Sequence, residues 1–117
     1  MDSEKTLDKP LIDMSCVYSA SLTARLSVDE CSTLMASIDK TWTLDFEANT
    51  LSRNFEFKNY YETMAFANAV AWIAQKQNHH PDMLITYRHC KLIYTTHSIN
   101  GISINDFICA AHIDSLN

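Results

Sequence analysis

The run NYYETMAFANAVAWIAQKQNHHP, residues 59–81, decides the fold. Asn59 followed three positions later by Glu62 has the form in which an N-cap side chain and an N3 side chain satisfy the orphan amides of a helix start. The spacing that follows predicts a helix of about five turns ending near Gln77. Met64, Ala67, Val70, Ala71 and Ala74 recur at helical intervals, and Phe66 and Ile73 widen the apolar stripe. The many alanines allow close approach, so this helix is expected to lie on a sheet as the central core element. Pro81 bars the helix from continuing and biases His80 towards an extended backbone. His79 and His80 are therefore placed on a connection, outside the helix.

Working back from this helix, the period changes to two. Trp42, Leu44 and Phe46 share one face of a strand while Thr43, Asp45 and Glu47 share the other. After a polar turn at residues 48–50, Leu51, Phe55 and Phe57 mark the inner face of a second strand, with Arg53 the odd member. Further back, Ser27-Val28-Asp29-Glu30 has capping-box form and opens a first helix, apolar at Leu34, Met35 and Ile38 and ending near Lys40. Residues up to about Ala24 read as a loosely structured arm, in which Leu11, Ile12, Val17 and Tyr18 add a strand or lie across the body.

Working forward, residues 83–87 and 90–96 read as a second hairpin joined around Arg88 and His89, with a turn at residues 99–101 after it. Ser103 with Asp106 opens a last helix whose apolar surface comes from Phe107, Ile108, Ala110, Ala111 and Ile113. The order is α-β-β-α-β-β-α. This is an α+β domain, a four-stranded antiparallel sheet with helices packed on one face. Such a sheet keeps two edges, which makes self-association an expectation.

With 117 residues the chain holds one ordinary domain, and a single Gly with two Pro argues against a disordered or collagenous chain. A net charge of −5 leaves no broad attraction to nucleic acid or anionic membrane. The charged opening is unlike a secretory leader, and no run approaches the roughly 20 apolar residues of a membrane span. A cytoplasmic protein with a small polar ligand or a protein partner is expected. Cys16, Cys31, Cys90 and Cys109 lack C-x-x-C spacing and read as reduced, small apolar residues.

Three histidines carry the chemistry. Imidazoles titrate near neutrality and can donate, accept and shuttle protons without a metal. His79 and His80 either both face a pocket across the Pro81 bend, or one bonds a neighbouring backbone group while the other faces water. His97 emerges where the last strand ends, a place from which a rigid element aims a side chain into a cleft. Asp106 either orients an imidazole or serves only as the cap of its helix. No H-E-x-x-H or nearby thiol completes a zinc set, so no metal and no cofactor is expected. Both Trp42 and Trp72 are expected in the core, Trp42 with the alternative of lining a cleft for a flat heterocycle.

These residues resemble the pterin-4a-carbinolamine dehydratase family, also known as a dimerisation cofactor of a homeodomain transcription factor. His79-His80-Pro81, an aromatic at Tyr87, His97 and Asp106 are similar to its signature. Leu26-Ser27, Trp42, Arg53-Asn54-Phe55-Glu56-Phe57-Lys58, Thr95-Thr96-His97 and Gly101-Ile102-Ser103 match the layout around it. The resemblance spans about Leu26 to Asp114, so residues 1–25 are taken as an N-terminal arm and 26–117 as a single dehydratase-like domain. The family commonly has an acidic residue where this chain has Gln75, and often Trp where it has Met83.

The resemblance implies elimination of water from a 4a-hydroxytetrahydropterin to give the quinonoid dihydropterin. It implies His79, His80 and His97 as catalytic residues, with Pro81, Asp106, Trp42, Gln75 and Tyr87 binding substrate or supporting them. A homodimer or homotetramer and a functional link to an aromatic amino-acid hydroxylase are implied too. The alternative is a non-catalytic oligomeric interaction protein of the same fold, a transcriptional coactivator or assembly factor.

Overall fold

A computed structural model describes residues 9–18 and 24–116. Seven elements follow in order: α1 (Val28–Met35), β1 (Thr43–Asp45), β2 (Thr50–Glu56), α2 (Tyr60–Gln77), β3 (Asp82–Ile85), β4 (His89–Tyr94) and α3 (Ile104–Asp114). The four strands form one antiparallel sheet in the order β1-β2-β4-β3. The expected α-β-β-α-β-β-α order and α+β class are what the chain adopts.

Register explains which face is inside. Leu51 stands opposite Tyr94 and Phe55 opposite Cys90, and all four are buried. With Leu92 they form the floor on which Phe66, Val70 and Ile73 of α2 and Phe107, Ile108 and Ile113 of α3 close the core. The opposite face presents Asn54, Glu56, Lys91 and Leu84, all exposed. Arg53, the odd inward residue, is neutralised in place. Its guanidinium lies 2.8 Å from Asp114 and 4.2 Å from the centre of the Phe55 ring.

The helix starts are as the sequence predicts. Ser27 and Ser103 each form a complete capping box, with Glu30 and Asp106 at N3. Asn59 accepts from the Glu62 amide at 2.8 Å, while the Glu62 carboxylate accepts from Lys58 instead of completing the box.

Five expectations are corrected. First, α1 stops at Met35, not near Lys40. The Asp39 carboxylate accepts from the amide and hydroxyl of Thr41 at 2.9 and 2.6 Å, and the Asp39 amide donates to Asp114 at 2.8 Å. Both compete with a further helical turn. Second, Phe46 leaves the strand period and is exposed, because Asp45 accepts from the amides of Glu47 and Ala48 and starts the turn early. Third, the buried stripe of α2 runs through Thr63, Phe66, Ala67, Val70, Ile73, Ala74 and Gln77, which turns Ala71 and Trp72 outward. Trp72 is 64% exposed, with the Lys76 ammonium 4.9 Å from its ring centre. Fourth, the second hairpin is tighter, closed by the Thr86 amide on the His89 carbonyl at 2.8 Å, so His89 lies in β4 and not in the turn.

The fifth concerns the looseness of the arm, of which residues 1–8 and 19–23 lie outside the described residues. Its described part lies across the body, one of the two alternatives open for it, and is fastened there: Leu11 is buried in a 3-10 turn (Leu11–Asp13), and the His112 imidazole donates to the Met14 carbonyl at 2.8 Å. No helix among the described residues is long and apolar enough to cross a membrane.

Candidate active site

The end of α2 sets the site. Asn78 takes left-handed backbone geometry, φ 52°, and its amide closes onto the carbonyls of Ala74 and Gln75. Asparagine tolerates this conformation better than other residues with a side chain, and its use here reverses the chain directly after the helix. His79 and His80 follow at once. A cavity of about 320 Å³ opens beside them, walled by both imidazoles, by His97, and by Tyr18, Thr96 and Asn105 among others. Both members of the histidine pair thus line one cavity. A broader depression of about 730 Å³ lies between Leu11 and the end of α3, but no histidine lines it.

His79 is the most constrained of the three. Its Nε2 is 2.7 Å from Oδ1 of Asp106, whose side chain is wholly buried. The other carboxylate oxygen accepts from the Ser103 amide at 3.0 Å and from the Thr96 hydroxyl at 2.8 Å. The ring stacks on Tyr94, centres 5.3 Å apart. Burial is the largest single influence on His79 and disfavours its charged form. The hydrogen bond to Asp106, that carboxylate's charge and a contribution from Cys16 outweigh it, so the His79 pKa lies above the ordinary 6.5.

Asp106 is thus both a helix cap and an imidazole partner, but its imidazole is His79, not His97. His97 is held by other residues. His97 begins a 3-10 turn (His97–Ile99), and Asn100, φ 52°, ends that turn. The Arg25 guanidinium holds the turn by donating to the carbonyls of Ile99 and Asn100. A Cβ on Gly101 would sit 2.5 Å from Nε of Arg25, so the lone glycine makes room for this clamp. His97 itself is exposed. His80 is exposed too, with its Nε2 3.3 Å from Oε1 of Gln75.

Other nominated residues fall outside the cavity. Trp42 is 3% exposed and belongs to the core, its indole donating to Asp114 at 2.7 Å. Tyr87 lies in the turn between β3 and β4 and stacks on Tyr60, centres 6.1 Å apart. The turn carries it away from the histidines, because Asp82, not Ile85, is the end of β3 next to them. Pro81 follows the histidines without lining the cavity. Met83, opposite Leu92, packs against the core.

Tyr18, Thr96 and Asn105 were missed as site residues. Thr96 sits next to His97, and Asn105 is a polar residue among the apolar positions of α3, which are usable signals. Tyr18 offered none beyond being aromatic. Beneath it, Cys16 and Cys109 place their sulfurs 3.6 Å apart. The hydrogen bond from Cys109 is the largest influence on Cys16 and lowers its pKa against burial, with help from the His79 charge. The same hydrogen bond and burial push Cys109 up. Among the described residues no cluster of three or more His, Cys, Asp or Glu side chains is arranged to hold a metal ion.

Residues 24–116 match the family model described as pterin 4 alpha carbinolamine dehydratase. A protein of Nitrosomonas eutropha, provisionally named a pterin-4-alpha-carbinolamine dehydratase, is 46% identical over 106 residues, covering 91% of this chain and 92% of the relative. One of Nitrosospira multiformis with the same provisional name is 52% identical over 91 residues, 78% of each chain. The crystal structure of a transcriptional coactivator/pterin dehydratase from Brucella melitensis superposes with a TM-score of 0.74 at 26% identity, covering 79% of this chain and 97% of that one.

Proposed function

Since the chain belongs to the pterin-4a-carbinolamine dehydratase family, we propose that its three-histidine cavity eliminates water from a 4a-hydroxytetrahydropterin, giving the quinonoid dihydropterin for reuse as tetrahydropterin. The observation that carries this reading is three imidazoles on one cavity, one of them bound to a buried carboxylate.

The reaction breaks the C4a–oxygen bond. The departing hydroxyl takes a proton and leaves as water, and a ring nitrogen gives up a proton as the new double bond forms. Both transfers need groups that hold or accept a proton near neutrality, on two sides of C4a. His79, whose pKa the Asp106 hydrogen bond and charge raise against burial, binds and polarises the hydroxyl region. His80 and His97 exchange the protons, and their acid and base labels are interchangeable. A proton on His79 sits in a partly buried site, where its charge would stabilise the leaving oxygen more than in water. Gln75 supports His80 by a neutral hydrogen bond where the family commonly has an acid.

The reading includes a domain at 26–117 with 1–25 as its arm, supported by the family match over 24–116. It includes a homodimer or homotetramer, supported by the two open sheet edges, β1 and β3, and by exposed Tyr61 and Trp72 on α2. An aromatic amino-acid hydroxylase is the reaction class that supplies the substrate, and a cytoplasmic location agrees with cysteines that carry no paired spacing.

The test follows the decay of enzymatically generated 4a-hydroxytetrahydropterin with wild type and with His80→Ala. Wild type should accelerate the decay, and the variant should lose roughly ten- to ten-thousand-fold in kcat while staying folded, because His80 is exposed. Equal turnover by the two proteins would remove His80 from the chemistry. A folded wild type without acceleration would sink the dehydratase reading.

A further inference from the structure

Resting on the dehydratase reading, we propose that the phenol ring of Tyr18, carried by the N-terminal arm, is a substrate-contacting wall of the site that packs against the pterin ring and sets KM.

The arm is positioned by its backbone. The Cys16 amide donates to the Gln77 side chain at 2.8 Å. The Val17 amide donates to Oδ1 of Asn105 at 2.9 Å, and Nδ2 of Asn105 donates back to the Val17 carbonyl at 2.7 Å. Gln77 is 6% exposed and Asn105 1%. An unpaired buried amide costs about 1–3 kcal/mol, and these two find partners in the arm. They fix residue 17 whatever its side chain, and so deliver residue 18 to a defined place.

At that place the hydroxyl of Tyr18 donates to the Asn78 carbonyl at 2.8 Å and lies against that of Gln77. These are terminal carbonyls of α2, which have no partner within the helix. The hydroxyl is committed to the scaffold immediately before His79, and burial with the nearby thiols holds its pKa well above the ordinary phenol range. It is not placed to serve as an acid or base. The ring is what remains available: Tyr18 lines the cavity with His79, His80 and His97, and the residue is 54% exposed.

A flat heterocycle calls for an aromatic or apolar face, and the cavity volume suits a small bicyclic ligand. Trp42, which had the alternative of lining a cleft for such a ring, is in the core, and Tyr87 lies in the turn between β3 and β4. Tyr94 is spent behind His79. Tyr18 is the aromatic ring left on the cavity wall among the described residues.

The experiment compares full-length wild type, Tyr18→Ala and Tyr18→Phe for steady-state turnover of the enzymatically generated substrate. It also measures equilibrium binding of dihydrobiopterin, a reduced pterin that does not turn over. Loss of an aromatic contact made equally in ground and transition states predicts KM and Kd raised about three- to tenfold in Tyr18→Ala, with kcat within about twofold. Tyr18→Phe should restore both. Unchanged KM and Kd in Tyr18→Ala overturn the proposal, and so does a Tyr18→Phe protein as impaired as Tyr18→Ala, which would assign the effect to the hydroxyl anchor. If wild type binds dihydrobiopterin without catalysing dehydration, and Tyr18→Ala weakens that binding, the dehydratase reading falls and the ring contact stands. A wild type that does neither refutes both.

Discussion

Asp106→Asn keeps the size of a wholly buried side chain and removes its charge, so it isolates what that charge does for His79. The carboxylate faces donors on all sides: His79 at 2.7 Å, Thr96 at 2.8 Å and the Ser103 amide at 3.0 Å. An asparagine can keep its oxygen on Ser103 and Thr96 and turn its NH₂ to Nε2 of His79, which accepts only while that nitrogen carries no proton. One charge-assisted hydrogen bond contributes about 1.5–3 kcal/mol, so the variant should be less stable by that amount at pH 6, where the imidazole would otherwise be charged. The sign of the pH dependence follows from His79. Its folded pKa is raised above 6.5, so the stabilisation from the charged pair is fully present below the unfolded value and fades as pH rises through the folded one. The deficit of Asp106→Asn should therefore be smaller at pH 9 than at pH 6. Urea titrations at the two pH values measure it, and the NMR titration of the His79 ring reports the cause, since its midpoint should fall in the variant. Equal deficits at both pH values, or an unmoved midpoint, would refute the argument that Asp106 holds the His79 charge.

Two further substitutions probe the neighbours. Gln75→Glu puts a carboxylate where Oε1 now stands 3.3 Å from His80, which should carry the kcat/KM profile towards higher pH; a superimposable profile would take Gln75 out of the site. Trp42→Phe deletes the 2.7 Å bond to Asp114 while Arg53 still pairs with that carboxylate, so about 1–2 kcal/mol of stability should be lost with kcat and KM unchanged; a raised KM would put Trp42 back on the substrate wall.

What was legible in the sequence is what is written locally. The caps at Ser27, Asn59 and Ser103 depend on residues three or four positions away, and the break after Gln77 depends on a proline close by. Adjacent histidines after such a break are readable as a loop-borne pair. The unreadable parts rest on partners distant in the chain. Asp106 is nine residues from His97 and 27 from His79, and only the packing of α3 against the end of α2 decides between them. Trp72 was expected inside because it is large, yet one helical step of 100° from Ile73 puts it in water. The Asp39–Thr41 bonds that shorten α1 are local, but the hold on Asp39 comes from Asp114 in α3. The path of the arm depends on Gln77 and Asn105, 61 and 88 residues away.

The left-handed turn at Asn78 makes α2 a ruler. Because the chain reverses directly at the helix end, the direction in which His79 points is tied to the helix's phase, and its reach is tied to the helix's length. Deleting one residue anywhere inside α2 would rotate the turn by about 100° and retract it by about 1.5 Å, taking His79 off Asp106 even with every side chain of the site intact. The turn between β3 and β4 lies at the end of β3 remote from the histidines and carries no such constraint. Length variation among relatives should therefore be rare within α2 and concentrated in turns like that one, so that the spacing from Asn59 to His79 marks a competent site as surely as the histidines themselves.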